Sequence, residues 1–171
     1  WLWKSRIFGS VRSYYGACHG IAGNVQVFLR GADILPRDWI ETSVQRAAHT
    51  LSRGALREGT TVNWSLSAEA DPIGSTRLVQ WCHGAAGIVT ALSCVRMFEC
   101  ADSKKLDALV DEAAELVWKA GPLKKGPGLC HGTAGNGYAF LALFRFSGEE
   151  RWLQRARQFA MHAIQQSRRA K

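Results

Sequence analysis

Apolar positions along this chain fall into two alternating kinds of run. The first kind is apolar on most sides and covers residues 20–33, 84–99 and 132–146. In the third of these, Tyr138, Ala139, Phe140, Leu141, Ala142, Leu143 and Phe144 follow one another, which predicts a helix buried all round. The second kind is one-sided. Ile40, Val44, Ala47 and Leu51 recur at helical spacing, as do Leu106, Leu109, Val110, Ala113, Leu116 and Val117. Trp152, Ala156, Phe159, Ala160 and Ala163 repeat the pattern near the end. Pro36, Gly54, Gly121-Pro122 and Gly126-Pro127-Gly128 supply breaks, and Ser147 with Glu150 fits a capping box at the last helix start. The alternation predicts an all-α architecture of helical hairpins, with an inner ring and an outer ring. The stretch 55–80 interrupts it; its alternating Val62, Trp64, Leu66 and Ala68 predict a short extended segment.

Each inner run opens on one triplet, at Cys18-His19-Gly20, Cys82-His83-Gly84 and Cys130-His131-Gly132, followed every time by x-Ala-Gly. The spacings of 64 and 48 residues are too long and too unequal for a zinc finger or knuckle. A repeated supersecondary unit accounts for them better. If every triplet starts an inner helix, all three lie on one face of the ring, and distant residues share a site. Cysteine and histidine are good metal donors. A packed trio of buried cysteines with a hydrogen-bonded histidine fits the spacing equally well. Gly23, Gly87 and Gly135, three residues after each motif glycine, predict close backbone approach near the helix starts.

With 171 residues, 47% of them apolar, the chain suits one domain with a sizeable core. No window approaches 18 uninterrupted apolar residues, so no membrane span is predicted. The opening Trp1-Leu2-Trp3-Lys4 shows neither an initiator Met nor a signal-peptide pattern, and reads as a cut into an existing domain. The odd count of five cysteines predicts reduced thiols in a cytoplasmic setting, with Cys94 and Cys100 as packing residues. The net charge of +8 is spread over several helices without interleaved stacking aromatics, which argues against a nucleic-acid partner.

Two segments carry a resemblance. Trp81-Cys82-His83-Gly84-Ala85-Ala86-Gly87 and Gly128-Leu129-Cys130-His131-Gly132-Thr133-Ala134-Gly135-Asn136 resemble the signatures of the lanthionine synthetase C-like (LanC-like) family. The W-C-H-G form of the first, and Lys124-Lys125-Gly126 before the second, are similar to the glutathione-transferring branch. The similarity covers nearly the whole chain. It implies an α,α-toroid of helical hairpins around a central zinc. About three hairpins are present, so residues 1–171 read as a piece of the later half of such a domain, short at both ends.

The resemblance further implies that Cys82, Cys130 and His131 hold the zinc, leaving a fourth position open as in catalytic sites. It implies an acid/base role for His19. His83 is a second catalytic candidate, as support for the ligands or as a substrate contact. Lys125 would hold a glutathione carboxylate; the alternative is a solvated loop lysine. Arg77 is a further candidate for the pocket. Cys18 departs from the family pattern and reads as packing, with a spare thiol near the zinc as the alternative, while His49 and His162 read as structural. The implied activity is addition of a thiol, from glutathione or a peptide cysteine, to dehydroalanine or dehydrobutyrine in a peptide or protein, giving a thioether. A zinc-containing module that binds peptides or proteins without turnover is the alternative. A toroidal glycosidase is disfavoured, because the carboxylates lie mainly on the outer helices and in the 55–76 insert.

Overall fold

The chain opens on a β-hairpin of β1 (Lys4–Ile7) and β2 (Ser10–Ser13), and the helices that follow come in pairs. These are α1 (Ile21–Arg30) with α2 (Arg37–Gly54), α3 (Ala85–Leu92) with α4 (Ser103–Ala120), and α5 (Thr133–Ser147) with α6 (Glu150–Arg169). A second hairpin, β3 (Ala55–Glu58) with β4 (Thr61–Trp64), separates the first two pairs. The computed structural model describes residues 1–7, 9–69 and 78–169, so Arg77 lies outside the described residues.

The predicted layering holds. Helices α1, α3 and α5 pack side by side as an inner layer; each packs on its own outer partner, and α2 reaches α4. Amphipathicity explains the outer layer. On α4, Leu106, Leu109, Val110, Ala113 and Val117 are buried on one stripe, as are Ile40, Val44, Ala47 and Leu51 on α2. The turn between α5 and α6 is tight because Gly148 adopts a left-handed conformation, ending α5 two residues before α6 begins. Arg96 locks the second and third pairs together. Its guanidinium donates to Asp107 and Asp111 at 2.5 Å each and faces Glu149 at 3.7 Å.

Four local expectations need correction. Helix α5 is not buried all round. Tyr138 and Leu141 are 54% and 44% exposed, because α3 and α6 cover only the remaining sides of the helix. Ala160 on α6 is likewise exposed, beside them in one groove. Ser147 is the last residue of α5, not a cap of α6; its hydroxyl accepts the Glu149 amide at 3.1 Å. The extended segment holds at Val62 and Trp64 but ends there, short of Leu66 and Ala68; it pairs with β3 in a hairpin, and the Trp64 indole donates to the Leu51 carbonyl at 2.8 Å.

The third pair owes its packing to an aromatic cluster. Phe140 is fully buried, its ring 6.1 Å from that of Trp152 and 5.2 Å from that of Phe159. Arg155 lies over Trp152 and Trp118 and chelates Glu115 through two hydrogen bonds. Phe140→Ala should therefore cost about 3–5 kcal/mol. Thermal denaturation would register that as a drop in Tm on the order of 10 °C.

Candidate metal centre

All three triplets stand immediately before an inner helix, with Gly20, Gly84 and Gly132 as the residues preceding α1, α3 and α5. Each helix is thereby entered through a loop folded tightly on itself. A Cβ at Gly87 would sit 1.8 Å from the Trp81 carbonyl oxygen, and Gly23 and Gly135 stand in the same relation to Ala17 and Leu129. The predicted close approach is thus the reason for these glycines. The loops also lie against one another. The Cys82 amide donates to the Cys130 carbonyl at 3.0 Å, and a Cβ on Gly16 would meet the Cys82 carbonyl at 2.6 Å.

This nesting brings Cys82, Cys130 and His131 together, with their ligand atoms all within 4.8 Å of one another. The Cys82 thiol lies 3.8 Å from His131 Nδ1. Cys82 is buried, whereas Cys130 and His131 are exposed. Two thiols and an imidazole are a donor set suited to zinc, and three ligands with two on the open side leave room for a fourth group. Burial pushes the Cys82 thiol up to about 11; the hydrogen bond and charge of Cys130 add to this, and a hydrogen bond from Gln80 works against it.

Behind Cys82 runs a short polar chain. Gln80 Nε2 donates to the Cys82 thiol at 3.0 Å, and Lys125 Nζ donates to Gln80 Oε1 at 3.1 Å. Lys125 is exposed but joined to the site through this amide. On the other side, His19, His83 and Tyr14 form a ring cluster. The centroids are 5.8 Å apart for the two histidines, 5.5 Å for Tyr14 with His83 and 6.0 Å for Tyr14 with His19. Burial, and then the neighbouring His19, hold His83 below the usual imidazole range. Its Nδ1 is buried with no hydrogen-bond partner among the described residues. His19 itself is exposed.

The sequence of 12–170 matches the model of a family described as lanthionine synthetase C-like protein. The chain belongs to that family. Its three hairpins are accordingly an arc of the LanC-like α,α-toroid. Among its relatives are glutathione S-transferase LANCL1 of Danio rerio, 33% identical over 151 residues, and LanC-like protein GCL1 of Arabidopsis thaliana, 34% identical over 149. These matches cover 86% and 87% of this chain but 34% and 32% of the two relatives, so the chain spans about a third of their length.

Reading the LanC-like sequence missed Gln80 and Tyr14. Both stand just ahead of a triplet, Gln80 two residues before Cys82 and Tyr14 four before Cys18. Cys18 is exposed, which goes against its reading as a packing residue. Cys94 is buried in the core, and Cys100 packs against it. His49 and His162 lie on α2 and α6, away from the triplets. No helix among the described residues is long and apolar enough to cross a membrane.

Proposed function

We propose that this LanC-like chain takes part in zinc-dependent addition of a thiol, glutathione foremost, to dehydroalanine or dehydrobutyrine residues of a peptide or protein. The observation that carries the reading is the convergence of the Cys82, Cys130 and His131 donor atoms within 4.8 Å, on the open side of the loops. The name of the Danio rerio relative supports glutathione as donor. Zinc, when bound, favours the thiolate form of a substrate thiol.

The chain's own residues supply the rest. Lys125 offers an ammonium for a glutathione carboxylate, and its bond to Gln80 fixes that charge relative to Cys82. Addition joins sulfur to the β-carbon of the acceptor, and the α-carbon must then gain a proton. His19, exposed at the rim, is suited to deliver it. His83, whose protonation burial disfavours, packs its ring 5.8 Å from that of His19 and is suited to support it.

The test is incubation of the intact protein carrying this chain with zinc, glutathione and a dehydroalanine peptide, followed by mass spectrometry. A product heavier by one glutathione is expected. Cys130→Ala should lose both metal and product. His19→Asn should keep its metal while the rate falls by roughly 10²- to 10⁴-fold. Full product from Cys130→Ala would overturn the proposal. Metal retained without product on any dehydroamino-acid peptide would favour the binding module instead.

A further inference from the structure

We propose that Gln80 is a positioning residue that decides donor specificity: a neutral tether holding the Lys125 ammonium beside the metal centre with its charge uncancelled, so that thiols carrying a carboxylate are selected. The inference rests on the reading of Lys125 given above. It assigns the selection to a side chain that need touch neither metal nor substrate.

Gln80 is only 6% exposed, and its backbone is pinned. Its amide donates to the His83 carbonyl at 3.3 Å. The preceding Val79 bridges to Gly84, and its carbonyl accepts the side-chain amide of the fully buried Asn136 at 3.1 Å. At the tip of the side chain both polar atoms are engaged. Nε2 donates to the Cys82 sulfur at 3.0 Å, and Oε1 accepts from Lys125 Nζ at 3.1 Å. An ammonium can only donate, so it claims the amide oxygen and leaves the NH2 group for the sulfur. Lys125 thus sets the orientation of the amide, and the amide sets the place of the ammonium. Two hydrogen bonds and the C=O and C–N bonds between them keep Nζ within about 9 Å of the Cys82 sulfur.

That the tether is an amide matters. Lys125 is exposed on the loop between α4 and α5, and a lysine there would otherwise sample many rotamers. Holding it in place before a donor arrives lowers the ordering cost of binding. A carboxylate at position 80 would hold the ammonium equally well but would cancel its charge. The amide oxygen is neutral and leaves the whole charge for an anion. A donor whose sulfur reaches the open side of the metal centre then meets an ammonium already in place for its carboxylate. A thiol without a carboxylate gains nothing from it.

The test is isothermal titration calorimetry of the zinc-loaded intact protein with glutathione and with 2-mercaptoethanol, which has no carboxylate. Zinc content is measured for every variant. Wild type should bind glutathione the more tightly, and Lys125→Met should reduce that preference roughly tenfold or more. Gln80→Leu should weaken glutathione by roughly 2- to 10-fold and narrow the preference accordingly. Gln80→Glu keeps the shape and the tether but cancels the charge, and should narrow it as far as Lys125→Met does. In the double variant, Gln80→Leu should add nothing to Lys125→Met. Additive losses, equal weakening of both thiols by Gln80→Leu, full preference in Gln80→Glu, or loss of zinc from Gln80→Leu would each overturn the inference. A wild-type preference that survives Gln80→Leu intact would sink this inference alone. Wild type that holds zinc yet shows no preference for glutathione would sink the reading of Lys125, and this inference with it.

Discussion

From about pH 7 to about pH 9, the zinc affinity of the Cys82, Cys130 and His131 site should climb by at least roughly a hundredfold. Metal displaces the thiol proton, so a ligand that is still protonated adds about tenfold in affinity for each pH unit. Cys82 is pushed to about 11, which keeps it protonated across this whole window. It alone gives two factors of ten. Above about pH 9 the stability of the metal-free chain should move the opposite way. Folding raises this thiol above its ordinary 9.0, so the folded state keeps a proton that the unfolded state releases first. The resulting stability is fully present below the ordinary value and is lost as pH rises toward about 11. Competition against a chromophoric chelator, alongside urea unfolding of metal-free protein, measures both slopes. A flat affinity profile would show that Cys82 is not a ligand.

Gly84→Ala should be among the most damaging single substitutions, costing roughly 3–5 kcal/mol. Gly84 has φ +101° and ψ −167°, a region essentially confined to glycine that costs other residues about 1–3 kcal/mol. The larger effect is overlap, since a Cβ there would lie 1.7 Å from the Leu78 carbonyl oxygen. That carbonyl cannot simply move. It accepts a hydrogen bond from Asn63 Nδ2 at 3.2 Å, while Asn63 Oδ1 accepts the Ala85 amide at 3.0 Å. Backbone on both sides of Gly84 is therefore pinned by one buried side chain. Relief of the clash would shift Cys82, two residues away, and metal affinity should fall with stability. Gly121 is the matched control: its φ is +67°, with nothing near a Cβ. Gly121→Ala should cost only the backbone strain, about 1–3 kcal/mol. Equal losses in urea titrations of the two variants would show that strain alone, and not the Leu78 contact, limits Gly84.

The helical layers were legible because their signal is local. A stripe such as Leu106 to Val117 repeats every turn, and burial follows that stripe directly. The triplets were legible as a meeting point because repetition implies equivalent places in a repeated unit. The signal failed where partners lie far apart in the chain. Nothing local in β1 or β3, four residues each, marks them as strands, because pairing rather than pattern makes them so. Tyr138 and Leu141 look like core by composition, yet which side of α5 is covered depends on where α3 and α6 lie. Gln80 is the site residue most deeply hidden from sequence. Its importance comes from Lys125, 45 positions later, and from a neighbouring thiol.

The bond between the Cys82 amide and the Cys130 carbonyl also sets an order of events during synthesis. His131 follows Cys82 by 49 positions. At about 5–20 residues per second, that stretch takes roughly 2–10 seconds to translate. Throughout this interval the second loop has no third loop to rest on, and Cys82 waits without Cys130 and His131. A ribosome that pauses between the two loops lengthens the wait. If the proposed zinc site forms, synonymous codon choice across residues 83–130 is expected to change how much newly made chain takes up metal, measurable as zinc per chain.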